Sequence, residues 1–198
     1  MRQSFSVPSS TMGEQPRNVE FARAIRAGFI AEIGESIPAI GLNNLDELKR
    51  EYSSLIIHLD RLRPSLIAAD VLYRPDDGSW SIKEILGHII DADREIWWPR
   101  IDAAINEDHP HFVTQDQKEI VKRNRWHSLE LEEILGQLMR IRWNYAMRVN
   151  TMPAEYFERT GEHLTLGELS VLQILQILVS HDIHYMDTVR ELIEETSN

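Results

Sequence analysis

An all-α fold, a four-helix bundle with an additional N-terminal helix, follows from two observations. Four long segments repeat apolar residues at the three-and-four spacing of a buried helical stripe, and no run of alternating strands interrupts them. Two of those segments also open on a capping box with a hydrophobic staple, the most explicit start signal a helix carries. The chain of 198 residues, 42% of them hydrophobic, is long enough to bury one sizeable core.

The opening residues, MRQSFSVPSSTMGEQPR, are rich in Ser, Pro, Gln and Gly and read as a flexible arm. From Asn18 the spacing Val19, Ala22, Ile25, Phe29, Ile33 predicts a helix that Gly34 and Pro38 end. Residues 1–43 are thus expected to be an arm and extra helix, and residues 44–198 the bundle.

Asn44 and Glu47 stand as cap and N3 partner ahead of the first bundle stripe, Leu45, Leu48, Tyr52, Leu55, Leu59, Leu62. Ser81 and Glu84 make the second start, with Trp80 and Ile85 as its staple and Ile85, Ile89, Ile96 continuing inward. Pro99 is expected to end or kink this helix, which resumes through Ile101, Ala104 and Ile105. A polar connection from Asn106 to Trp126 leads to Ser128, a candidate cap for a helix carrying Leu131, Ile134, Leu135, Leu138, Ile141, Tyr145 and Val149. The last start is read at Thr165, with Glu168 at N3 and Leu164/Leu169 as staple.

Composition removes several functions. With 21 Lys plus Arg against 32 Asp plus Glu, the net charge of −11 opposes a phosphate backbone, so nucleic acid is not an expected partner. The absence of cysteine removes disulfides, thiolate ligands and a cysteine nucleophile. No apolar run approaches a bilayer span and the first residues lack a signal h-region, so a cytoplasmic protein without a membrane partner is expected. HExxH, Glu-x-x-His, P-loop, GxGxxG and GxSxG motifs are all missing.

Histidine placement remains. In SHDIHYMD, His181 and His184 differ by about 60° around a helix axis and one turn along it, which is chelate spacing. His88 lies about two turns into its own helix, and three imidazoles meeting in the bundle would resemble an open, catalytic metal site. The plainer alternative is helical histidines satisfied by carbonyls or water. Asp91, one turn after His88, is a candidate to orient a ligand imidazole or, like Tyr185, to carry a proton; its plainer reading is a solvated helix carboxylate. Trp97, Trp98, Trp126 and Trp143 read as packing residues, one or two of which could wall a pocket.

WSIKEILGHIIDADREIW at residues 80–97, followed by HDIHYMDTV in the last helix, resembles the DinB superfamily, especially its YfiT-like branch. The resemblance covers roughly Asn44 to Leu192. It implies an up-down-down-up connection, a homodimer, and a divalent metal (Zn, Ni, Mn or Fe) held by one His from the second helix and two from the last. His88 then matches the first ligand and His181 the second. The usual third position, four residues later, holds Tyr185. Either His184 substitutes through its i, i+3 geometry, or Tyr185 binds weakly through its phenol, or the site has two histidines. The implied chemistry is metal-dependent hydrolysis of a small electrophilic substrate, or transfer of a low-molecular-weight thiol onto one. The alternative is a non-catalytic dimeric or small-ligand-binding bundle.

Overall fold

The computed structural model describes residues 45–75, 78–113, 115–164 and 166–196. The expected arm and extra helix, and the expected cap Asn44, lie outside the described residues. Helix α1 spans Leu45–Ala68. Helix α2 (Ile82–Asp91) runs through a π-helical turn, Ala92–Trp97, into α3 (Trp98–Asn106). A short strand β1 (His111–Phe112) and helix α4 (Gln117–Asn124) precede the third long helix, α5 (Leu131–Thr151). Strands β2 (Thr160–His163) and β3 (Gly167–Ser170) then lead into α6 (Val171–Thr196).

Helices α1, α2 with α3, α5 and α6 form the bundle. α1 packs on α5 and α6, and α2 packs on the same two. Asn150 Nδ2 donates to Ser53 Oγ near one end of α1, and Arg63 pairs with Glu132 near the other, so α1 and α5 are antiparallel. α2 and α5 are parallel: Lys83 Nζ donates to Leu129 O near their starts, and Arg148 pairs with Asp102 near the end of α3. α6 begins where α5 ends, with Val171 N donating to Arg159 O, and returns to complete the up-down-down-up order.

The second start is as the sequence predicts. Ser81 Oγ accepts from Glu84 N, and Glu84 Oε2 accepts from Ser81 N at 3.0 Å. Such a box stabilises a helix end by about 1 kcal/mol. Pro99 lacks the N–H that would bond Glu95 O one turn back; Gln115 Nε2 donates to that carbonyl instead, at 2.9 Å. The expected kink thus takes the form of a wide π turn, a device often found beside functional sites.

Two local readings need correction, and the polar connection from 106 to 126 carries elements of its own: Asp116 caps α4 by accepting from Glu119 N, and β1 pairs in parallel with β2. Ser128 does not cap α5; it belongs to a 3-10 turn, Trp126–Ser128, and α5 starts at Leu131 after Glu130. The last helix does not begin near Thr165, which is itself outside the described residues. Leu169 and Glu168 lie in β3, and the antiparallel hairpin turns at Gly167 with φ +72°, a conformation that suits glycine. The working capping pair is Ser170 and Gln173, each side chain bonded to the other's backbone N–H. A three-stranded sheet in the order β1-β2-β3 therefore decorates the helical fold.

The core falls into two apolar groups. One contains Tyr52, Trp97, Trp98, Ile101, Val149 and Leu178; the other contains Leu59, Ile85, Ile89, Leu138, Tyr185 and Val189. Between them, at one level of the bundle, lie the buried polar residues His88, Asp91, Asp93, Arg142, His181 and Asp182. That belt brings residues from α2, the π turn, α5 and α6 together.

Candidate metal centre

His88 from α2 and His181 from α6 meet across the bundle axis, with Nε2 atoms 2.9 Å apart and exposures of 1% and 0%. The capping box sets His88 because it fixes where α2 begins. Burial, reinforced by the facing His181 ring, holds His88 well below its ordinary pKa. Burial also lowers His181, against the opposing pull of Asp182. Both rings are therefore neutral at pH 7, the form that ligates metals.

Three aromatic side chains enclose the pair. Tyr185 lies edge-on to both imidazoles, its ring centroid 4.7 Å from each. Trp80 lies 4.7 Å from His88, and Trp97 meets His181 edge-on at 5.7 Å. Trp80 thus packs over the imidazole. His184, half-exposed, meets this group through Tyr185, 5.0 Å between ring centroids. Among the described residues, no three His, Cys, Asp or Glu side chains come together in a group that could hold a metal. The geometry joins His88 and His181 with a phenol, rather than three imidazoles.

Asp91 is fully buried and both its oxygens are engaged: Asn124 Nδ2 donates to Oδ1 at 2.8 Å and Trp126 Nε1 to Oδ2 at 2.6 Å. Burial raises Asp91 to about 6, with those hydrogen bonds pulling the other way. Its observed partners make it the clasp that binds α4 and the 3-10 turn to α2. Gly87 is part of the same clasp, since a Cβ there would lie 2.1 Å from the Trp126 ring.

The belt's other half is ionic. Arg142, with 0% side-chain exposure, donates from Nη1 to Asp182 Oδ2 at 2.5 Å and places Nη2 3.1 Å from Asp93 Oδ2. The Tyr52 ring covers its guanidinium at 4.4 Å. Burial opposes the charge, but Asp182 and Asp93 hold Arg142 above its ordinary value. Burial pushes Asp93 up to about 7 against the pull of Arg142. Asp182 Oδ1 lies 3.6 Å from His181 Nδ1, so the two halves of the belt touch.

Two clefts reach residues that contact the pair. One, about 220 Å³ between α1 and α6, is lined by Ser54, His58, Asp182, Ile183 and Met186 among others. The other, about 230 Å³, is lined by Arg74, Trp80, Glu84, Lys118, Lys122 and His127 with Gly78 and Val121. Trp80 therefore separates a locally basic cleft from His88.

The model of the DinB superfamily matches residues 47–189, most of the chain and all of this belt. The chain belongs to the DinB superfamily. A protein of Halalkalibacterium halodurans described as a candidate metal-dependent hydrolase is 22% identical over 152 residues, 74% of this chain and 85% of that protein. YfiT from Bacillus subtilis, described as a probable metal-dependent hydrolase with an unusual four-helix bundle topology, superposes with a TM-score of 0.69. It is 18% identical, over 82% of this chain and 94% of its own.

Within this DinB bundle, sequence reasoning missed Arg142, Asp93 and Asp182. Arg142 had a signal: it continues the buried positions Leu135 and Leu138 toward Ala146 and Val149, where an apolar residue is expected. Asp93 had none, because the π turn that brings it inward breaks the helical register.

Proposed function

We propose that this chain is a metal-dependent hydrolase of a small molecule, with a divalent cation (Zn, Ni, Mn or Fe) held by His88 and His181. One observation carries the reading: two fully buried, neutral imidazoles from different helices converge at 2.9 Å. Residues that ligate cations suit this convergence, since neutral Nε2 atoms are donors to such a cation. Membership of the superfamily, and the descriptions of the Halalkalibacterium and Bacillus relatives, agree with it. A bound cation would lower the pKa of a water, or of a small thiol, enough to yield hydroxide or thiolate near neutral pH.

The chain's own side chains supply the rest. Tyr185, set against both rings, is the proton carrier beside the reacting group and stands where a third imidazole is expected. Trp97 and Trp80 exclude water from two sides. Substrate enters from the cleft behind Trp80, where Arg74, Lys118 and Lys122 favour a molecule bearing negative charge. Asp91 serves by fastening Trp126 rather than by proton transfer. His184 is outside the ligand pair. Exposed Trp143 and Met147 on α5 offer an apolar face on which two chains can pair.

Cation-loaded protein should hydrolyse at least one compound in a panel of small anionic esters and amides, and His88→Ala and His181→Ala should each lose that activity. Equal rates in the variants would refute the assignment. Product that forms only when a small thiol is supplied would move the reaction to S-transfer at the same residues. A second reading, a non-catalytic bundle, is favoured by the absence of a three-ligand group among the described residues; it predicts no turnover under any loading.

A further inference from the structure

The contact between the two halves of the polar belt assigns a task to the ion cluster. His181 Nδ1 faces Asp182 Oδ1 at 3.6 Å, with side-chain exposures of 0% and 8%. Asp182 is held there from its other oxygen by Arg142 Nη1, and Arg142 is held in turn beside Asp93 and under the Tyr52 ring. A buried carboxylate facing an imidazole nitrogen favours a proton on that nitrogen, because a bare lone pair would meet the carboxylate's charge unscreened.

A neutral imidazole carries one ring proton, so a proton on His181 Nδ1 leaves Nε2 with its lone pair. That Nε2 is 2.9 Å from His88 Nε2, and a hydrogen bond between them then needs its proton on His88. The two histidines are therefore opposite tautomers: His181 accepts and His88 donates.

We propose that Arg142, acting through Asp182, is a positioning residue that locks His181 as its Nδ1–H tautomer, so that His181 presents a ready lone pair while His88 carries the movable proton. The tautomer assignment follows from the metal-free geometry. Its consequence for ligand binding rests on the proposed metal reading: His181 can ligate as it stands, whereas His88 must first move its proton from Nε2 to Nδ1.

Ring ¹⁵N NMR of histidine-labelled, metal-free protein tests this directly. The expected pattern is Nδ1 protonated and Nε2 bare in His181, with the reverse in His88. A His181 found protonated on Nε2, or on both nitrogens at neutral pH, overturns the proposal. Arg142→Gln should convert the single His181 pattern into a tautomer mixture and weaken Zn binding about 10- to 100-fold, the usual loss for such an outer partner. Arg142→Lys should recover the single tautomer; a Gln variant that keeps the wild-type pattern overturns the role of Arg142. If Arg142→Gln does not fold, the wild-type pattern still decides the tautomers, and Arg142→Lys decides the role of the charge: a folded Lys variant that keeps the single His181 pattern supports it, and a folded Lys variant with a mixed pattern overturns it. Zn added to wild type should move the His88 proton to Nδ1 and leave the His181 proton in place. A spectrum that Zn does not change refutes the metal reading while the tautomer assignment stands on the metal-free spectrum alone.

Discussion

Two buried polar clusters share one level of this bundle, and they are built on opposite principles. Arg142 with Asp93 and Asp182 is a set of opposite charges, each placed to offset the desolvation of another. His88 with His181 is a set of like groups, both neutral, that meet through their Nε2 atoms. A charge cluster of the first kind holds helices in register. A pair of like donors facing each other is what a cation can bridge. On the proposed reading, the difference separates scaffold from candidate site.

The largest expected effect comes from breaking the ionic half. Arg142→Met leaves two buried carboxylates without their cation and should destabilise the fold by about 3–5 kcal/mol, measured by urea denaturation. Combining it with Asp93→Leu and Asp182→Leu should recover most of that loss, because no uncompensated charge remains. A triple variant no more stable than Arg142→Met would contradict the assignment of these residues as one charge cluster.

Gly87→Ala comes next. Its Cβ would overlap the Trp126 ring at 2.1 Å, so the indole and its hydrogen bond to Asp91 must shift. The expected loss is about 1–3 kcal/mol, with a change in tryptophan fluorescence. By contrast, His88→Leu should alter stability by only about 1 kcal/mol, since it exchanges one buried hydrogen bond for apolar packing. A loss as large as that of Arg142→Met would erase the distinction between the clusters.

The smallest effect is a pH dependence. Asp91, raised to about 6 chiefly by burial, holds its proton more tightly folded than unfolded. Its contribution to stability is therefore full below about 4 and is lost as pH rises through about 6. Compared with Asp91→Asn, wild type should gain on the order of 1 kcal/mol in relative stability as pH falls across that window. A difference independent of pH would show that Asp91 titrates normally.

The helices of this fold were legible in the sequence because local chemistry encodes them. Ser81, Glu84 and the apolar stripes state their case within a few residues. Where pairing between strands overrides a local signal, the sequence was a poorer guide: Thr165 with Glu168 read as the last helix start, but pairing with β2 takes Glu168 into β3 and the helix begins at Val171, after Ser170. The candidate site was half legible. His88 and His181 followed from spacing and resemblance. Asp93 did not, because its inward placement depends on a π turn created by Pro99 and by Gln115 reaching back to Glu95. Asp182 was hidden beside the more conspicuous histidine, and Arg142 behind the assumption that a buried stripe is apolar.

Calorimetric titration of Zn into metal-free protein, purified without a histidine tag, tests the central claim most directly. The account predicts one cation per chain for wild type and for His184→Ala, and none for His88→Ala or His181→Ala. Wild-type protein that takes up no Zn, Ni, Mn or Fe, or a His88→Ala variant that binds as wild type does, would contradict it.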